Sequence, residues 1–209
     1  MTELFLSAFI TFFVVIDPPG CAPIYAGLVS DATPRQQRVM AVRATLIATA
    51  ILVVFALFGE QLLGALHIEL DSFRIAGGAM LFLIALEMVF EKRTQRREER
   101  AEMVRHSPEI EDVSVFPMAM PMLAGPGAIA SIMLLMARAE GTEETVVILA
   151  ALIAVMAITM VSLMAAAPLM KLLGTKVEAV ITRLLGVLLA ALAAQFVIDG
   201  LKGSFGGMA

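Results

Sequence analysis

Val14-Val15-Ile16-Asp17-Pro18-Pro19-Gly20-Cys21 lies inside the first apolar stretch of the chain, and Leu123-Ala124-Gly125-Pro126-Gly127-Ala128 lies inside a later one. Proline lacks an amide N–H, and its ring collides with the carbonyl four residues back, so neither string continues an α-helix undisturbed. In a soluble protein such a string is a surface loop. Here the flanks are apolar: Leu4–Ile16 carries no charge, and neither does Phe116–Met136. The two strings therefore read as breaks inside membrane-crossing segments, where only protein or trapped water can satisfy the freed backbone groups.

The rest of the chain agrees. Of 209 residues, 60% are hydrophobic and 16% charged, against roughly 45–50% and about 25% in soluble domains; mean hydropathy is +0.91. A globule of this length cannot hide so much apolar surface from water. Charges divide the chain into six spans, near Leu4–Val29, Val42–Gly59, Phe73–Phe90, Phe116–Met136, Val146–Met170 and Val180–Leu201. Each approaches the roughly 20 residues that cross a ~30 Å hydrocarbon core. The expected fold is all-α and integral to the membrane, with six transmembrane helices, the first and fourth broken at Pro/Gly. A cleaved or lipidated N-terminus is not expected, because Glu3 is the only charge before Asp17 and a signal peptide opens with positive charge. No nucleic-acid partner is expected from a net charge of −4 with no Trp and one Tyr. One Cys excludes an intramolecular disulfide and a multi-Cys metal site.

Lys and Arg near span ends set orientation. Arg35, Arg38 and Arg43 follow span one, six basic residues from Lys92 to Arg105 follow span three, and Lys171, Lys176 and Arg183 lie around the loop between spans five and six. These twelve share one side; Arg74, Arg138 and Lys202 hold the other. The richer side is read as cytoplasm, which puts both termini outside.

The breaks also recur in register. Pro19-Gly20 is answered by Pro126-Gly127, and Arg74-Ile75-Ala76-Gly77 by Arg183-Leu184-Leu185-Gly186, at separations of 54 and 56 residues. Three spans per copy is odd, so the second copy would be inverted, as in many secondary transporters. The expected division is 1–90 as the first repeat, 91–115 as a polar cytoplasmic linker and 116–209 as the second repeat. With six basic and seven acidic residues, the linker reads as a solvated, partly helical loop.

Inverted repeats would aim the N-termini of Cys21–Val29 and Ala128–Met136 at a shared centre. Each end carries free N–H groups and a partial positive charge, a setting for a carboxylate or another small anion. The candidate substrate-binding residues are Asp17, Gly20, Cys21, Gly125, Gly127, Ala128 and Ser131. Asp17 supports two compatible readings: an intramembrane carboxylate that carries a coupling proton, holds Na⁺ or meets a substrate amine, or a cap on the following half-helix. Glu87 reads as a side chain snorkelling to the interface, and Arg74 and Arg183 as interfacial anchors. Gln195 and Asp199 are candidate polar lining, and Gly186, Ala190, Ala191 and Ala194 a close-packing face. The fifteen Met read as packing. His67 and His106 fall in loops on opposite sides, and no catalytic set, cofactor motif or metal-ligand spacing is present, so no enzyme is expected.

Phe13-Val14-Val15-Ile16-Asp17-Pro18-Pro19-Gly20, with Ala22-Pro23-Ile24 behind it, resembles the N-terminal signature of the MarC family of bacterial inner-membrane proteins. Phe73-Arg74-Ile75-Ala76-Gly77-Gly78 and Pro121-Met122-Leu123-Ala124-Gly125-Pro126-Gly127-Ala128-Ile129 resemble two further signatures, and Arg183–Gly186 with Gln195-Phe196 fits the last span. The resemblance covers nearly the whole chain. It departs at Asp17, where many members carry Asn before the proline. Some relatives are described as proton-linked carriers of small neutral amino acids, so the resemblance implies a secondary transporter of that class, with a small-molecule substrate and a proton or Na⁺ as partners and the bilayer around it. The substrate, the direction of transport, the coupling ion and the oligomeric state are not legible in the residues. The competing reading is a non-transporting membrane protein that acts in assembly or regulation through the loop 91–115.

Overall fold

The computed structural model describes residues 1–105 and 112–205, and every regular element in them is helical. The helices are α1 (Thr2–Ile16), α2 (Pro18–Leu28), α3 (Pro34–Ala65), α4 (Leu70–Val89), α5 (Lys92–Arg105), α6 (Pro126–Met136), α7 (Thr142–Met164) and α8 (Ala166–Phe205), with an irregular segment, Ser114–Leu123, before α6. Five stretches are long and apolar enough to cross a membrane, and six if Ser114–Met136 counts as one bent span. The chain is an all-α integral membrane protein.

Proline and capping chemistry set the helix starts. α2, α3 and α6 each begin on a proline, whose missing N–H is no loss in the first turn. Thr33 and Gln36 form a reciprocal capping box at α3. The spans are longer than apolarity alone predicts: α3 runs from Pro34 rather than Val42 because its first turns are polar but well capped. The expected loop between spans five and six is helical. α7 ends at Met164 and α8 begins at Ala166.

α1 and α2 form the most enclosed span, with 56% of its apolar window buried against 28–39% for the other four continuous spans. α1 packs chiefly on α7, and α3 on α6, α7 and the irregular segment. The most extensive contact joins α4 to α8. These two helices run antiparallel and close together because glycines line the seam. A Cβ on Gly78 would lie 2.9 Å from the Ala193 carbonyl oxygen, and one on Gly186 would lie 2.9 Å from Met88 Cβ. The seam on α8 is Gly186, Leu189, Ala193, Phe196 and Gly200, all buried, whereas Ala191 and Ala194 point outward. The small-residue face thus lies about one position from where the sequence pattern puts it, since leucine and phenylalanine occupy two of its steps. Leu46, Phe58, Leu83 and Leu188 lie on the outer surface, the face turned to lipid in an integral membrane protein.

Candidate functional site

The first break is a single residue wide. Asp17 adopts the left-handed conformation, φ 60° and ψ 64°, between α1 and α2, a region Asp and Asn enter more readily than other side chains. Its Oδ1 accepts the Gly20 amide at 3.1 Å, capping α2. A Cβ on Gly20 would lie 2.3 Å from Asp17 Oδ2, so only glycine fits there.

In an unbroken helix the amides of residues 18, 19 and 20 would bond the carbonyls of Val14, Val15 and Ile16. Pro18 and Pro19 have no amide to give, and that of Gly20 is turned to Asp17. Side chains take two of the vacated places. Arg93 Nη2 donates to the Val15 carbonyl at 2.6 Å, and Cys21 Sγ donates to the Ile16 carbonyl at 3.4 Å. Cys21 is fully buried.

Arg93 belongs to α5, so the linker is not the solvated loop its charge suggests. Arg97 Nη1 lies 3.1 Å from Asp17 Oδ2, with the two side chains only 10% and 2% exposed. Arg96 pairs with Glu87 at 2.6 Å, and Arg183 with Glu91 at 2.5 Å. At the far end of the linker Arg43 pairs with Asp112, which also accepts the Ser114 amide at 2.9 Å. Burial alone would raise the Asp112 carboxyl, but the Ser114 hydrogen bonds and the Arg43 guanidinium outweigh it and hold it below the usual carboxylate range. The reason for the docking is electrostatic: a carboxylate inside the helix bundle requires a cation, and Arg93 and Arg97, four apart, share one face of α5.

The second break is built differently. The segment before it is helical only in part. Ser114–Leu123 contains Pro117 and Pro121, both after cis peptide bonds, with extended backbone at Phe116 and Met120. The chain then bends by 52° into α6. Gly125 occupies the N-cap position and brings no side-chain acceptor, so the first amides of α6, at Gly127 and Ala128, lack the cap that Asp17 gives α2. Close approach requires glycine at 125 and favours it at 127. A Cβ on Gly125 would lie 2.4 Å from the Pro121 carbonyl oxygen, and one on Gly127 would lie 2.4 Å from Ile84 Cδ1 and 3.5 Å from Val15 Cγ1. The second break thus packs on α4 and against the residue two before Asp17.

A cavity of about 680 Å³ opens beside it, bounded by Gly125–Ala128, Glu87 and the three arginines Arg93, Arg96 and Arg97. Of the residues singled out from sequence, Gly125, Gly127 and Ala128 line this space. Asp17 does not; it stands behind Arg97, whose guanidinium it holds. Gly20 and Cys21 are consumed by the first break. Ser131 is fully buried and donates to the Gly127 carbonyl at 2.8 Å, which takes it out of the lining. Glu87 is paired to Arg96 at the cavity rather than snorkelling. Gln195 and Asp199 belong to a separate cluster: Gln195 Nε2 donates to Asp199 Oδ1 at 2.7 Å, and Asp199 pairs with Arg138, which sits 4.5 Å over the Phe196 ring. Arg74 pairs with Asp71 at 2.7 Å. His106 lies outside the described residues.

Residues 2–205 match the pattern of the MarC family integral membrane proteins. The chain belongs to the MarC family. It is 34% identical to the UPF0056 membrane protein MJ1677 of Methanocaldococcus jannaschii, over 97% of this chain and 98% of that one. It is 32% identical to the UPF0056 membrane protein YvbG of Bacillus subtilis, over 98% and 97%, and 31% identical to the UPF0056 inner membrane protein YhgN of Escherichia coli, over 97% and 98%. No solved structure matches. These names place MarC family chains in membranes and attach no substrate to them. In this MarC protein the groups that sequence reading missed are the arginines of α5. Their one visible signal was the unmatched carboxylate at Asp17, because α5 has no apolar face to announce that it docks.

Proposed function

We propose that this MarC family protein is a proton-linked secondary transporter of small neutral amino acids, built as two inverted three-span repeats with the linker in the cytoplasm and both termini outside. The observation that carries the reading is the cavity at the second break. It combines uncapped α6 amides, a wall of guanidinium groups and one carboxylate, Glu87. A zwitterion fits that pattern, with its carboxylate at Gly127 and Ala128 and its amine toward Glu87. Asp17 then acts indirectly, by holding Arg97, and remains the candidate for the coupling proton.

Purified protein in liposomes tests this directly. Labelled alanine or glycine should accumulate when a pH gradient is imposed and stop accumulating when it is collapsed. Uptake no greater than in protein-free liposomes, for both amino acids, would remove the proposal. That result would favour the non-transporting reading, for which the outward face of α5, with Glu98, Glu99 and Glu102 exposed, is the natural contact surface.

A further inference from the structure

We propose that the mouth of this cavity holds an anionic phospholipid from the leaflet on the linker side, its phosphate on the arginine wall and its acyl chains along Met80, Leu83 and Phe116. The inference stands on the cavity itself and does not depend on transport.

Charge favours an anion at the arginine wall. Among the described side chains, three guanidiniums (Arg93, Arg96, Arg97) face two carboxylates, Asp17 and Glu87. Of the three, Arg93 makes no ion pair with a described carboxylate. Its polar contacts are to neutral acceptors, the Val15 carbonyl at 2.6 Å and Met88 Sδ at 3.0 Å. A guanidinium has five N–H donors in a planar fork that matches phosphate oxygens, so Arg93 keeps donors in reserve. Burial, and the like charge of Arg97 beside it, push Arg93 down to about 10. It stays cationic at neutral pH, in a setting that favours an added anion.

The apolar part of the lining points to an amphiphile. Met80, Leu83 and Phe116 line the same cavity, yet they are 40%, 61% and 48% exposed. On the spans of an integral membrane protein, exposed apolar side chains meet lipid. The cavity therefore joins lipid-facing apolar side chains to guanidinium groups, and Arg96 among them is 62% exposed. A free inorganic anion, or the small zwitterion proposed at Gly127 and Ala128, leaves this apolar edge uncovered. An amphiphile with a phosphate head satisfies both edges at once, and basic residues just beyond a span are where anionic headgroups collect.

The test is native mass spectrometry of the purified full-length protein, titrated with phosphatidylglycerol or phosphatidylcholine of equal chain length, with thermal melting in parallel. Phosphatidylglycerol should bind in one high-occupancy event and raise the melting temperature; phosphatidylcholine should do neither. Arg93→Gln should weaken that event roughly tenfold, the loss expected for one charge-assisted contact. Because Arg93 also supports the first break, Arg96→Gln and Leu83→Ser serve as variants clear of it, and each should weaken phosphatidylglycerol severalfold. Arg138→Gln, in the separate Asp199 cluster, should leave it unchanged. Equal binding of the two lipids would overturn the inference. So would protection by inorganic phosphate equal to that by phosphatidylglycerol and indifferent to Leu83→Ser, which would mark a site for soluble anions only. A protein that binds phosphatidylglycerol selectively but moves no amino acid would leave this inference standing and remove the transport reading.

Discussion

The Asp17–Arg97 pair can be dissected with a double-mutant cycle. Both side chains are nearly sealed from solvent, 2% and 10% exposed, and meet at 3.1 Å. Removing one partner of a buried pair typically costs about 3–5 kcal/mol, mostly the penalty of stranding the other charge. The two single variants should differ. Asp17→Asn keeps an oxygen to cap Gly20 and a side chain that tolerates the left-handed backbone, but it leaves Arg97 and Arg93 without their shared carboxylate. A destabilisation of about 3–4 kcal/mol is expected. Arg97→Gln strands Asp17, yet Arg93 remains beside it as a second cation, so about 2 kcal/mol is expected, below the range for a pair with no substitute. The double variant removes both charges and should fall no lower than Asp17→Asn alone, which gives a coupling of about 2 kcal/mol, within the span seen for contacting residues. Reversible denaturant unfolding in mixed micelles measures all four proteins, and protease cleavage within α5 should speed up in both singles. Additivity to within about 0.5 kcal/mol, with α5 equally protected throughout, would show that the pair does not hold the linker and would refute the reasoning.

Cys21→Ala should destabilise by about 1 kcal/mol or less, because the Ile16 carbonyl loses a weak donor; Cys21→Ser should remain near wild type in the same unfolding assay. Gly127→Ala places a Cβ 2.4 Å from Ile84 Cδ1 and should cost about 1–3 kcal/mol, with Ile84→Ala on top recovering stability; no change in the single would mean α6 does not pack as described. Asp112 is held below the usual carboxylate range, so its contribution is fully present above about pH 4, the unfolded carboxylate value, and is lost as pH falls through the depressed folded value. Arg43 and Asp112 are half-exposed, so Asp112→Asn should shift stability by less than about 1 kcal/mol, with the difference vanishing in strong acid. Cysteines at Arg96 and Gly141 in a Cys21→Ala background should label from opposite sides, Arg96 from the cytoplasm; labelling of both by an impermeant outside reagent would sink the orientation.

How much the residues reveal depends on which force places each group. Hydrophobic burial and proline sterics act locally, so the spans and both breaks are legible in the amino-acid order alone. The irregular Ser114–Leu123 is less so: its composition is as apolar as a helix, and only Pro117 and Pro121 betray it. The linker is misread because its docking uses no apolar face. A charge run with both signs mixed normally stays in water, and nothing in the period of α5 distinguishes a solvated helix from one whose arginines reach inward.

The arginines nevertheless follow from a demand visible at Asp17. Pro18, Pro19 and the cap on Gly20 together vacate three backbone carbonyls and leave one carboxylate inside the bundle. Those groups need donors and a positive charge, and α1 and α2 between them contain no Lys or Arg. The donor had to come from elsewhere in the chain, and the linker that follows α4 is its richest source of guanidinium. Arg97 answers the carboxylate and Arg93 answers the Val15 carbonyl. The second break makes no such demand, since Ala124 stands where the first has Asp17, and its uncapped amides belong to residues that line the cavity. The asymmetry between the breaks thus separates their surroundings: the first anchors the linker helix, and the second, with the arginines so anchored, lines the cavity.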